Sequence, residues 1–319
     1  DFVSPDERYS VAQYKQDAKK AIKEIINKGK TPIIVGGTGL YVDSLIYEIE
    51  YNDIKLDEEY RKKLEEIVKK QGLEVIDLSI GAPNIPPTQE VMETIAKEAM
   101  KPENYLYAIK DSVDLQNTVK EWYERRYGVT IDPETEMTSL LGSQDGLAHL
   151  ALTLVDEGDI VLVQDPCYPI FRDGPLLAGA KVVTMPLLKE NDYLIDFDMI
   201  NEKTAQDAKY MIVSYPNNPT CGVANDEFYN KLIVFAKKYN IMVLHDNAYS
   251  ELLFEGPGHS FLEFEGAKDV GIEFNSLSKT YGLAGARIGF ALGNKEIIGK
   301  LKGLGAEGIL VLPIEKMIV

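Results

Sequence analysis

The chain has 319 residues, 45% hydrophobic and 27% charged, the balance of an ordinary globular protein of one or two domains. Its 51 acidic and 34 basic side chains give a net charge of -17, which argues against a generic nucleic-acid or anionic-membrane surface but leaves room for a local basic pocket. Two cysteines, Cys167 and Cys221, stand outside any CxxC pair and read as single buried thiols, and no His, Cys or carboxylate set has metal-ligand spacing. No apolar run reaches the length of a membrane span and no signal peptide is visible, so a cytoplasmic setting is expected. A start at Asp1 in place of Met implies that the first residues are not a natural start.

In chain order, residues 10–28 place Val11, Tyr14, Ala18, Ala21, Ile22 and Ile25 on one helical face, with Ser10 as cap and Gly29 as stop. A short apolar strand, TPIIV, runs into GGTGLY, 36–41, and a charged helix over 56–71 ends at Gly72. From Glu74 the texture changes. VIDLSIGAPNIPP reads as a strand entering a proline-rich turn, helices are predicted at 88–100 and 112–127, and an apolar helix at 147–155. Strands are predicted at 160–164, 181–185, 209–214, 241–245 and 271–276. Strands spaced by helices predict an α/β architecture, a mixed and mostly parallel sheet between helices, with a short α/β segment before it. Ligands in such sheets sit at the carboxyl ends of the strands. The seam falls near residues 70–75, giving segments 1–72 and 73–319.

The unusual residues fall in the loops after the strands. GSQDG, 142–146, offers Ser143, the backbone N–H of Gln144 and a helix start suited to a phosphate. DPCYP, 165–169, places Tyr168 where a ring can stack on an aromatic ligand, and YPNNPT, 215–220, sets Asn218 on a rigid turn. HDNAY, 245–249, carries Asp246 and Tyr249, and NSLSKTYGLAGARIGF, 275–290, carries Ser276, Ser278, Lys279 and Arg287. One ligand accounts for all of these, pyridoxal phosphate. Lys279 would supply the amine of an aldimine and Asp246 the carboxylate that keeps the ring nitrogen protonated. Asn218 and Tyr249 would donate to the phenolate oxygen, Tyr168 would stack, and Ser143, Gln144, Ser276, Ser278 and Arg287 would hold the phosphate. Lys279, Asp246 and Tyr249 are the expected catalytic set. His245 precedes Asp246 on a strand and so points away from it; His149 reads as a helix residue, and Trp122 as core.

These phrases, with IDLSIGAPN before them, occur in the order and at the separations of class I/II, fold type I, pyridoxal-phosphate aminotransferases, which residues 74–319 resemble. The wording LSIGAPNIPP leans toward the subgroup that includes LL-diaminopimelate aminotransferase. The resemblance implies amino transfer between an amino acid and a 2-oxo acid, with Lys279 also moving the α-proton, and a homodimer in which Tyr107 reaches the neighbouring subunit's phosphate. Some positions depart from the family pattern. DPCYP and NPTC carry Cys167 and Cys221 in place of glycine, Ala286 stands for the aromatic before the phosphate arginine, and DSVDLQ lacks the usual glycine and arginine. A side chain at a turn glycine can meet a backbone that wants positive φ, and Gly222 is available to absorb one such change. Members of that family continue with a small domain whose arginine clamps the substrate carboxylate; the resembling sequence stops short of it, so cofactor binding is expected ahead of efficient turnover.

Residues 1–72 resemble an internal stretch of tRNA dimethylallyltransferase, with GGTGLY the specific match, continued through EEYRKKLEEI. That family's P-loop is not in the sequence, and a glycine turn without it is not a triphosphate site. Three readings follow: an aminotransferase, a fused remnant that binds cofactor without turnover, and a tRNA-modifying protein, the last disfavoured by the acidic charge.

Overall fold

The computed structural model describes residues 11–32, 44–45, 63, 66–67, 70, 85–106 and 110–306. The GGTGLY turn, the expected strand residues 33–35, the 74–84 stretch, Tyr107 and residues 307–319 lie outside them, as does Ser10. The chain divides into two compact units, Asp1–Ser79 and Ile80–Val319.

In the first unit, helix α1 spans Val11–Asn27. It stops where the sequence puts a glycine: Gly29 has φ +68, and the amides of Gly29 and Lys30 close back on Ile26 O and Ile25 O at 2.8 and 3.1 Å. Within the predicted second helix, the described positions Lys63, Glu66, Ile67 and Lys70 are helical, and Lys70 lies 3.6 Å from Glu66 one turn back.

The second unit is built on a seven-stranded sheet. Its helices are α2 (Gln89–Ala99), α3 (Val113–Tyr127), α4 (Ser143–Leu154), α5 (Pro169–Leu177), α6 (Glu202–Asp207), α7 (Asp226–Tyr239), α8 (Ala267–Val270), α9 (Leu277–Thr280) and α10 (Lys295–Ala306). Its strands are β1 (Met137–Leu140), β2 (Ile160–Asp165), β3 (Lys181–Pro186), β4 (Ala208–Ser214), β5 (Met242–Asp246), β6 (Gly271–Ser276) and β7 (Gly289–Gly293). Helix starts follow the caps in the sequence: Thr88, Ser112, Asn201 and Asn225 each accept from a first-turn amide. The strand order is β1-β7-β6-β5-β4-β2-β3, and only the pairs made by β7 are antiparallel.

Over the interior strands both faces of the sheet are covered, so these strands are mostly apolar and alternate between two cores, while the edge strand β3 is largely exposed or half-buried. Along β4, Met211 and Val213 join the core under α3 and α7, while Tyr210 and Ile212 join the core under α4, α5 and α10. On β6, Ile272 and Phe274 face the second core. Asp246 follows the register of Leu244 toward α4, whereas His245 lies on the opposite face, as its place before Asp246 predicted.

The five strands read from the sequence recur within a residue at each end. Two further strands, β1 and β7, not expected from the sequence, lie together at one side of the sheet. Helix α4 begins four residues before its apolar run, because its polar first turn faces the site. Two cysteine expectations change. Cys221 is exposed and Cys167 only partly buried. Cys221 itself takes φ +60, and Gly222 is not among the left-handed glycines, so it does not absorb the missing glycine of the turn.

Candidate active site

The carboxyl ends of β1, β2, β4, β5 and β6 meet the amino end of β7 along one edge. Register places Ser214 beside Asp246, Asp246 beside Phe274, and both Ser276 and Leu140 beside Gly289. At that edge lies a cavity of about 290 Å³, near the lower end of the range for small-molecule sites, about 300–1,000 Å³. It is lined by Ser143, Gln144, Tyr168, Asn218, Asp246, Tyr249, Ser276, Ser278, Lys279 and Arg287, together with Ala248 and Ala284. The first ten come from motifs up to 144 residues apart in sequence (287 less 143). The two alanines carry no chemistry that sequence reasoning could have singled out.

Asp246 ends β5 and is 5% exposed. Burial pushes its carboxyl up to about 6, against smaller downward pulls from His245 and from a hydrogen bond with the Ser143 side chain. Its Oδ1 is buried without a hydrogen-bond partner. Such an acceptor costs stability unless a donor reaches it. The Ser143 side chain hydrogen-bonds this carboxylate from the first turn of α4, which also offers its backbone N–H groups to the cavity.

Lys279 is carried by the short helix α9, which Ser276 caps by accepting from Ser278 N at 3.2 Å; the two hydroxyl oxygens lie 3.0 Å apart. Burial, then the Arg287 charge, lowers the ammonium's pKa and enlarges the fraction of neutral amine. Its Nζ lies 5.8 Å from the centre of the Tyr249 ring. Asn218 Nδ2 donates to Tyr249 Oη at 3.4 Å, and the Tyr168 hydroxyl donates to Gln144 Oε1 at 3.1 Å, tying two ring-bearing loops to their neighbours.

Arg287 sits at φ +56 before β7, and its guanidinium donates to Leu141 O at 3.1 Å and Ala284 O at 3.3 Å. This brings it against Gly142, the N-cap of α4, at φ +88; a Cβ there would stand 2.6 Å from Arg287 Nη2. The guanidinium and the α4 amino terminus thus form one anion-favouring corner that only glycine leaves open.

Behind the sheet lies a polar hub that the sequence did not announce. Glu273, fully buried, accepts from Tyr123 Oη (2.8 Å), Ser260 Oγ (2.9 Å) and Phe261 N (2.7 Å), and its Oε2 is 3.2 Å from His245 Nδ1. Among the described residues no three His, Cys, Asp or Glu side chains are grouped to hold a metal ion, and no helix is long and apolar enough to cross a membrane.

Taken together, the fold and cavity define an open α/β protein whose strand-end site pairs a buried carboxylate and an amine with an anion corner. The chain belongs to the class I and II aminotransferase family, whose model matches residues 74–314. Residues 1–80 match the model of the IPP transferase family. The LL-diaminopimelate aminotransferase of Aquifex aeolicus is 46% identical over 247 residues, covering 76% of this chain and 63% of that protein. The Halothermothrix orenii enzyme of that name is 43% identical over 235 residues, 73% of this chain and 60% of its own. This chain therefore spans less than two thirds of these curated relatives. Among solved structures, substrate-bound BacF from Bacillus subtilis superposes with a TM-score of 0.73 at 34% identity, covering 84% of this chain and 71% of that one. A probable N-succinyldiaminopimelate aminotransferase from Thermus thermophilus gives 0.73 at 33% identity, covering 80% and 70%. The fold is that of fold type I aminotransferases, and members of the family use pyridoxal phosphate.

Proposed function

We propose that this chain forms the pyridoxal-phosphate site of an aminotransferase that moves an amino group between an amino acid and a 2-oxo acid. The observation that carries the reading is the pairing, in one cavity, of Lys279 with the buried Asp246, whose Oδ1 lacks a donor. A protonated ring nitrogen is the donor that this oxygen lacks, and the Arg287–Gly142 corner suits a phosphate dianion. When bound, the cofactor supplies an electron sink for the carbanion left when the substrate's α-proton is removed.

The chain's own residues have these roles. Asp246, ionised at neutral pH and held by Ser143, fixes a proton on the ring nitrogen. Asn218 and Tyr249, already within hydrogen-bond distance of one another, orient toward a single phenolate oxygen. Tyr168 would stack on the ring, and Arg287 with Ser276, Ser278 and the α4 amino terminus would hold the phosphate. Lys279, with its pKa lowered, takes the α-proton as general base and returns it as acid. Residues 73–319 are the aminotransferase part and 1–72 a segment related to tRNA dimethylallyltransferase. The protein works in the cytoplasm as a homodimer, with Tyr107 serving the neighbouring subunit's phosphate. The name shared by its relatives supports a diaminopimelate-type amino acid as substrate.

The test is the absorbance of the purified protein with pyridoxal phosphate before and after borohydride. A long-wavelength band that becomes covalent on reduction and is lost in Lys279→Ala supports the site, and amino-acid-dependent bleaching of that band supports transfer. A covalent band with no bleaching by any amino acid favours the cofactor-binding remnant. Absence of a band refutes the cofactor reading.

A further inference from the structure

Tyr249 has no regular secondary structure to hold it. Strand β5 ends at Asp246 and the chain turns through 248–251, yet the phenol must sit within hydrogen-bond distance of Asn218. Backbone bonds from Asn247 N to Phe274 O (2.8 Å) and from Leu252 N to Tyr249 O (3.0 Å) hold the start of this stretch, and the side-chain ties on its far end come from α3, on the other core of the sheet.

Ser250, the next residue, is 2% exposed, and the Tyr127 hydroxyl lies 3.0 Å from its Oγ and 2.8 Å from Glu251 Oε1. Arg126 Nε approaches the Glu251 carboxylate at 3.1 Å, while its Nη2 donates to Gly258 O at 3.2 Å. A single guanidinium therefore ties the two ends of the 250–258 loop together. Its plane is steadied over the Tyr127 ring, at 4.7 Å from the ring centre. The ends meet closely: a Cβ on Gly258 would stand 1.9 Å from Ser250 O, so only glycine permits the approach. Asn247 Nδ2 adds a bond to His259 O at 3.1 Å. Only Arg offers forked donors that reach a carboxylate and a carbonyl at once, where a Lys ammonium is a single point charge.

We propose that Arg126 is a positioning residue for Tyr249: by clasping Glu251 to Gly258 it sets the phenol's place against Asn218 and so the hydrogen bond offered to the cofactor. The value of that placement rests on the pyridoxal-phosphate reading above. The clasp itself does not.

The test labels the whole chain with 3-fluorotyrosine, assigns the Tyr249 signal by Tyr249→Phe, and compares Arg126→Ala, Arg126→Lys and the neighbouring exposed Arg125→Ala. In the cofactor-free protein, Arg126→Ala shifts or broadens the Tyr249 fluorine line, Arg126→Lys does so less, and Arg125→Ala leaves it in place. With pyridoxal phosphate, Arg126→Ala weakens binding about fivefold and moves the pH midpoint of the cofactor's absorbance, as loss of one oriented hydrogen bond would. An unmoved fluorine line in Arg126→Ala overturns the proposal, and so does a moved line with unchanged affinity and midpoint, which would make the clasp merely structural. If Arg126→Ala fails to fold, Arg126→Lys decides by the same readings. If the parent protein binds no cofactor, the functional reading falls, and the fluorine line decides the clasp.

Discussion

Asp246→Asn should strengthen the cofactor-free protein while weakening the cofactor complex, and the size of the first effect follows from the site. The Asp246 carboxyl moves from 3.8 to about 6 because it is buried. A carboxyl whose folded pKa is raised contributes stability that is fully present below its unfolded pKa and lost as pH rises through the folded value. A rise of this size corresponds to about 3 kcal/mol, lost progressively between about pH 4 and 7. Asn carries no charge, so its stability lacks this fall, although its buried amide needs partners that the carboxylate did not. The expected net gain at pH 8 is about 1–2 kcal/mol. Urea unfolding of the cofactor-free proteins at intervals from pH 4 to 8 measures it directly. The parent's curve should drop away from the variant's as pH rises, and saturating pyridoxal phosphate should reverse the order, because ligand binding stabilises the parent more. Parallel curves across that range would refute the reasoning, since they would mean that Asp246 ionises in the folded protein at little cost.

Three further outcomes follow from the geometry. Cys221→Gly should raise stability by about 1 kcal/mol, since φ +60 strains a side-chain-bearing residue and the exposed thiol gives up only a 3.9 Å contact to Pro219 O; a melting shift of about 2–4 °C checks it. Gly142→Ala should cut pyridoxal phosphate affinity at least about tenfold, because the added Cβ displaces the Arg287 guanidinium; titration with inorganic phosphate should show the same loss. Glu273→Ala should destabilise the fold by about 3–5 kcal/mol in denaturant, as it strips His245, Tyr123, Ser260 and Phe261 N of a shared buried acceptor.

What was legible in the sequence divides along physical lines. The interior strands β2, β4 and β5 carry near-continuous apolar runs bounded by turn residues, and β3 and β6 keep shorter apolar stretches between helix and turn signals, so β2 to β6 could be read to within a residue. β1 and β7 could not: MTSL is only four residues, and GFALG has glycine at both ends, required because a Cβ at Gly289 would meet Asn275 O at 2.7 Å. The cavity lining was legible because chemistry-bearing residues stand at strand ends, where the fold class places ligands. The Glu273 hub was not. It depends on Tyr123, 150 residues away in sequence, and a glutamate inside a strand gives no local sign of being fully buried. The Cys221 backbone was also beyond reach, since the letters CG allow either residue to carry the left-handed turn; Cys221 carries it, with its amide bonded to Asn217 O at 2.9 Å.

The antiparallel return of β7 has a consequence for what the site can admit. The chain leaves the site edge at Ser276, places Lys279, and comes back at Gly289 just after Arg287, with Leu277 N bonded to Ile288 O at 3.1 Å. One short connection therefore spaces the amine from the anion corner, and both of its ends are stitched to the sheet. It works as a gauge. A residue inserted between 280 and 286 would change the interval between those two anchors, whereas an insertion after β2 or β4 would move a single wall. Chain length in this connection is thus as much a determinant of ligand fit as the identity of any side chain it carries.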